Sequence, residues 1–161
     1  MRHAKAAPFG DTDRERVLTD RGRRDAAEAG MHLAHTDAIP DYALVSDAVR
    51  GVATWEAVAQ ASGSSAQVSI DASVYTGSPD VVLDTLRVVP PGVSTVIFVG
   101  HNPTAAYLAY LLDDGNGDPA AMQGMLEGYP AAALVVLELA VPWSELAPET
   151  CRVVDFHVGS G

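Results

Sequence analysis

Residues Thr95-Val96-Ile97-Phe98-Val99-Gly100 form an unbroken apolar, largely β-branched run that stops at His101-Asn102-Pro103. Such a run has no polar face to turn to water, so it fits a strand covered on both sides. A sheet with helices on both faces offers that cover, and sheets of this kind are mainly parallel. Tyr42-Ala43-Leu44-Val45-Ser46 reads as a shorter strand, and Ala132 to Leu139 as another. Cys151 to Val158 alternates more, with Val154, Phe156 and Val158 on one face, as in a half-covered strand nearer an edge.

Between these runs lie helix signals. Thr19 can cap a helix over about Asp20–His35, and Ser46 can cap one over Asp47–Ala61. Ser78-Pro79-Asp80 opens a helix to about Val88, and Asn102-Pro103 opens one through about Leu112, each with proline at the first position. Pro8-Phe9-Gly10, Gly63-Ser64-Ser65, Pro90-Pro91-Gly92 and the stretch from Asp113 to Pro119 read as loops. Strands alternating with helices predict an α/β fold, a three-layer α/β/α sandwich with a mainly parallel central sheet, in one domain over residues 1–161.

Composition narrows the partners. The net charge is −11, which argues against broad binding to nucleic acid or to an anionic membrane. The distribution is uneven: residues 1–24 hold Arg2, Lys5, Arg14, Arg16, Arg21, Arg23 and Arg24 against Asp11, Asp13, Glu15 and Asp20, a local excess of +3. An anion site must therefore be local and built from few cations. The single cysteine, Cys151, excludes a disulfide framework and suits a reducing compartment, so the cytoplasm is expected. No apolar run reaches the ~20 residues of a membrane helix. A monomer is the expected state for an acidic surface without an apolar seam.

In parallel sheets, ligands bind beyond the carboxyl ends of the strands. His101 stands at the end of the strongest strand and beside a helix start. Arg50 lies in the first turn after Val45-Ser46, and Arg2-His3-Ala4-Lys5 opens the chain. Two histidines and two arginines at such positions suit phosphoryl transfer. Guanidinium groups match phosphoryl oxygens in pairs, and a neutral imidazole is a competent nucleophile. Neighbouring arginines should hold the attacking imidazole's pKa down by like-charge repulsion. His32 and His35 lack further ligands at metal spacing, and no metal or other cofactor is expected. His157 and Cys151 read as structural.

Four blocks in order carry a resemblance: Arg2-His3-Ala4-Lys5; Arg16-Val17-Leu18-Thr19-Asp20-Arg21-Gly22; Val45-Ser46-Asp47-Ala48-Val49-Arg50 with Thr54; and Val99-Gly100-His101-Asn102-Pro103. The set resembles the histidine phosphatase superfamily, whose fold is that of phosphoglycerate mutase, and in particular its small SixA-like phosphohistidine phosphatases. Tyr75 before a helix and Pro130 before a strand ending near Trp143 fit the same group. The resemblance implies that His3 is the nucleophile. Arg2, Arg50 and His101 would clamp the phosphoryl oxygens, and Arg16 and Asn102 would add substrate contacts. Asp13 would be an acid or a hydrogen-bond partner.

Two departures shape the expectation. The family places about five apolar residues before the Arg-His pair, as a central strand; here Met1 alone stands before Arg2. His3 is still expected to reach the carboxyl edge of the sheet. Second, no glutamate lies between Val68 and Pro91 to match the general acid of larger relatives; Asp71 is a weak substitute there. A site without a strong acid favours P–N over P–O cleavage, since an imidazole leaving group takes its proton from solvent more readily than an alkoxide does. About fifty residues separate Arg50 from His101, too few for a large lid. The expected function is a phosphatase for a phosphohistidine-containing protein. The alternatives are a phosphatase for a small phosphorylated substrate and a non-catalytic phosphate-binding module.

Overall fold

The computed structural model describes residues 1–160. In chain order the elements are α1 (Asp20–His35), β1 (Tyr42–Ser46), α2 (Val49–Ser62), β2 (Gln67–Asp71), α3 (Ser73–Thr76), α4 (Pro79–Leu86), β3 (Val96–Val99), α5 (Thr104–Leu112), α6 (Pro119–Glu127), β4 (Leu134–Leu139) and β5 (Cys151–His157). Single 3-10 turns cover Asp13–Glu15 and Trp143–Glu145.

The strand β1 shows why the molecule has three layers. All five of its residues are buried. Ala43 and Val45 pack with Ile97 and Val99 against Ala26, Ala29 and Leu33 of α1 and Trp55 and Val58 of α2. Tyr42 and Leu44 pack with Phe98 on the other face, against Val82 and Leu86 of α4, Leu108 and Leu112 of α5, and Met125 of α6. Successive side chains of a strand alternate between faces, so both faces need a helical layer. The sheet order is β2-β1-β3, all parallel, and β4 pairs with β5 antiparallel.

Residues 1–3 join the two sheets. Met1 N donates to Phe98 O at 2.8 Å, Gly100 N to Met1 O at 3.1 Å and His3 N to Gly100 O at 2.9 Å. On the far side Arg2 N donates to Ala133 O at 3.0 Å and Ala132 N to His3 O at 3.1 Å. The opening of the chain thus takes the place of a central strand for three residues, and His3, buried, reaches the carboxyl edge as expected.

The sequence expectations hold for α1 as predicted, and for β1, β3 and β4 within a residue or two. Helix α2 starts two residues late: Ala48 is its N-cap, and Ser46 closes β1 instead of capping. Helices α4 and α5 run Pro79–Leu86 and Thr104–Leu112. On β5 Cys151 and Val153 are buried and Phe156 packs against the same core as expected, but Val154 does not share their face. A bulge is the reason. Val136 pairs with Asp155 but Leu137 with Val153, so Val154 is the extra residue and the alternation resets across it. Strand β2 and helix α6 are additional to the sequence reading.

Candidate active site

Three chain segments bring the site together at the carboxyl ends of β1 and β3. His3 follows the Arg2–Gly100 bridge beside β3. Arg50 sits in the first turn of α2, and His101 follows β3 directly. The registration of His3 on α2 passes through Thr54, which is fully buried. Its Oγ1 accepts from Ala4 N at 2.9 Å and donates to Arg50 O at 2.6 Å. One hydroxyl therefore ties the residue after His3 to the carbonyl of Arg50. Helix α1 braces the same segment: Thr19 Oγ1 accepts from Gly22 N and donates to Lys5 O. A Cβ at Gly22 would lie 2.1 Å from Lys5 O, so a glycine is required for this approach.

The His3 and His101 rings lie 4.9 Å apart, tilted by 54°. His3 Nδ1 donates to Ala4 O at 2.8 Å, which places the ring proton there and leaves the lone pair on Nε2. Arg50 Nε faces that Nε2 at 3.3 Å. Burial above all lowers the His3 pKa, to about 4, and the charges of Arg50, Arg2 and Arg16 push the same way against the pull of the Ala4 carbonyl. The imidazole is neutral at pH 7. The arginine repulsion anticipated from sequence operates, but desolvation is the larger cause. His101 is likewise lowered to about 3, by burial first and then by His3 and Arg50. Its Nε2 meets Ser46 Oγ at 2.8 Å while its Nδ1 is buried with no partner among the described residues.

Asp13 occupies the guanidinium of Arg50. Arg50 donates through one terminal nitrogen to Asp13 O at 2.5 Å and through the other to Asp13 Oδ2 at 2.9 Å. Arg16 Nε donates to Asp13 Oδ1 at 2.9 Å, and the Tyr75 hydroxyl donates to Oδ2 at 2.5 Å. These contacts, the Tyr75 hydrogen bond first, lower the Asp13 pKa to about 2. At neutral pH this carboxylate is an anion gripped by cations and holds no proton to give. The Tyr75 ring stands edge-on to His101 at 5.1 Å, with Arg14 over its face at 4.4 Å.

The other candidates fall as follows. Arg16 also donates to Ala7 O at 3.1 Å. Arg2 donates to Tyr129 O at 3.0 Å, and its Nε is buried without a partner among the described residues. Asn102 Nδ2 donates to the same Tyr129 carbonyl at 2.9 Å, so its amide ties the loop before β4. Asp71 Oδ1 accepts from Ser73 N at 2.7 Å, at the start of α3. No hydrogen bond of His3, Arg50 or His101 among the described residues involves a glutamate. Ser46, which orients His101, and Tyr75, which holds Asp13, emerge from the structure in these roles. The signal for Ser46 was its place at a strand end, which reads equally as a helix cap.

No protein-family model matches the chain. An uncharacterized protein of Mycobacterium tuberculosis is 34% identical over 160 residues, spanning 98% of this chain and 99% of its own. Among solved structures, the "putative phosphohistidine phosphatase SixA" of Nakamurella multipartitia superposes with a TM-score of 0.87 at 30% identity, over 100% of this chain and 94% of that one. Its namesake from Agrobacterium tumefaciens gives 0.79 at 26% identity, over 98% and 94%. A paired-histidine, arginine-lined pocket on a phosphoglycerate mutase-like fold defines a class, and these likenesses place the chain in it. The protein belongs to the histidine phosphatase superfamily, in its SixA-like group.

Proposed function

We propose that the protein hydrolyses phosphohistidine on another protein, a phosphorelay or phosphocarrier component, through a phosphohistidine formed on His3. The Nε2 lone pair of His3 attacks phosphorus, and the P–N bond to the substrate imidazole breaks. Water then attacks the phosphoryl group on His3, releasing inorganic phosphate and free imidazole. Arg2, Arg50 and Arg16 stabilise the equatorial charge, as fixed cations do in a partly desolvated site. His101 donates from Nδ1 to a phosphoryl oxygen when Ser46 supplies the hydroxyl proton to Nε2. The Arg50 fork engages the phosphoryl group once Asp13 yields its place.

The observation that carries the choice of substrate is the grip of Arg50, Arg16 and Tyr75 on the Asp13 carboxylate, which favours its ionised form. An alkoxide leaving group needs a proton at departure, and Asp13 has none to offer. An imidazole leaving group takes its proton from solvent. The loop carrying Asp13 also leaves Phe9 86% exposed, which suits contact with a macromolecular surface more than closure over a metabolite. The test compares kcat/KM for a phosphohistidine protein with that for an alkyl phosphoester. The protein substrate is expected to be preferred. A preference for the alkyl ester supports the small-molecule alternative, and no turnover of either supports a binding module.

A further inference from the structure

Every nitrogen of the Arg50 guanidinium is engaged in the structure. Its Nε faces the His3 lone pair at 3.3 Å, one terminal nitrogen donates to Asp13 O at 2.5 Å and the other to Asp13 Oδ2 at 2.9 Å. Arg16 Nε donates to Oδ1 of the same carboxylate, and the Tyr75 hydroxyl to Oδ2. One carboxylate thus gathers two of the cations that a phosphoryl group needs. It also covers the nucleophile: while Asp13 holds Arg50, a guanidinium N–H sits on the Nε2 lone pair that has to attack. The segment carrying Asp13 is fixed at its base, where Ala7 N donates to Val17 O at 2.8 Å and Ala6 bridges Leu18. Between these points residues 8–15 are all exposed. Besides Asp13, Arg14 attaches the tip, through Asp47 at 3.1 Å and the face of the Tyr75 ring. No apolar side chain of the tip is buried, so swinging it outward breaks polar contacts and opens no core.

We infer that Asp13 is a specificity-determining residue: a tethered anion that competes for the Arg50 clamp, disfavours inorganic phosphate and small phosphorylated compounds, and yields to a phosphorylated protein. This role presupposes the phosphoprotein substrate proposed above and adds what selects it. Every phosphoryl ligand has to displace the same carboxylate. A small anion has only its own charge to set against that displacement. A protein ligand also touches the surface around the site, where Phe9 stands exposed on the same segment, and those remote contacts offset it. If the open arrangement is about one molecule in ten, small anions bind about tenfold more weakly than to a bare clamp. The same competition acts after hydrolysis, when Asp13 retakes Arg50 and inorganic phosphate leaves.

Titration calorimetry with inorganic phosphate on the wild-type protein, Asp13→Asn and Asp11→Asn tests this without turnover. Asp11 is exposed on the same segment and is not among the contacts of Arg50, so its variant removes equal charge and leaves the clamp as it is. Asp13→Asn is expected to bind phosphate about tenfold tighter than wild type, and Asp11→Asn about as wild type does. In kinetics, the ratio of kcat/KM for a phosphohistidine protein to that for phosphoramidate is expected to fall about tenfold in Asp13→Asn, through a lower KM for phosphoramidate. Phosphate binding that is unchanged in Asp13→Asn, or equally tightened in Asp11→Asn, overturns the inference. So does an unchanged ratio with kcat lowered on both substrates, which marks Asp13 as a plain catalytic group. A protein that turns over neither substrate defeats the proposed function instead, and the phosphate titration alone then decides whether Asp13 competes for Arg50.

Discussion

One carbonyl, that of Ala4, fixes which nitrogen of His3 is free. It takes the Nδ1 proton and leaves Nε2 toward Arg50. If Arg50 grips the phosphoryl group in the transition state, Arg50→Ala is expected to lower kcat by about 10²–10³-fold, the usual loss when one fixed donor leaves such a site. Arg50→Lys restores charge without the planar fork and is expected to recover only part of that loss. Steady-state kinetics on the preferred substrate check both, and wild-type kcat in Arg50→Ala contradicts the assignment. At this scale the sequence was informative where strand ends pointed at chemistry, as with Arg50 and His101, while His3 was singled out by the Arg-His-Ala-Lys opening of the chain. It was uninformative about Asp13, because whether a carboxylate gives a proton depends on who touches it. Contacts from Arg50, 37 positions away, and Tyr75, 62 away, decide that, and no local pattern encodes them.

Among the elements, the start of α1 sets how closely the His3 segment approaches. Gly22→Ala improves intrinsic helix propensity by up to about 1 kcal/mol. The added methyl would sit 2.1 Å from Lys5 O, a backbone atom that cannot swing aside. Overpacking of this kind typically costs 1–3 kcal/mol, so destabilisation is expected to win. Denaturant unfolding checks the sign, and a lower kcat should accompany it as His3 shifts; a more stable, fully active variant contradicts this packing. Element prediction failed where burial and pattern part company. Strand β2 carries Val68 and Ile70 largely in solvent, so pairing with β1 makes it a strand and hydrophobic burial does not mark it. Helix α6 was missed, its start absorbed into the loop from Asp113 to Pro119, although Asp118-Pro119 is the same opening signal as Ser78-Pro79 and Asp118 accepts from Ala121 N. The bulge at Val154 shows the opposite case, a strand whose location was readable but whose buried face was not.

Across the whole molecule, desolvation lowers the pKa of several basic groups, most of all the buried Met1 amine, to about 5, the buried His3, to about 4, and the half-buried His101, to about 3. Each binds a proton more readily in the unfolded chain, so folding stability is full above the unfolded pKa and falls as pH drops toward the folded one. The windows are pH 8 to 5 for the amine and 6.5 down to about 4 and 3 for the imidazoles. The slope is at most about 1.4 kcal/mol per pH unit for each group. Tm is therefore expected to decline from pH 8 to 4, and His3→Asn should flatten the part below pH 6.5. An unchanged slope in that variant contradicts the burial of a neutral imidazole. The uneven charge of the sequence has the same meaning at this scale: Arg2, Arg14 and Arg16, from the basic first 24 residues, gather with Arg50 around the pocket. The most direct test of the account is acid-quenched ³²P labelling with a phosphorylated donor. It predicts acid-labile, base-stable phosphate on His3, absent from His3→Asn; a folded, active protein that never carries phosphate on His3 contradicts it.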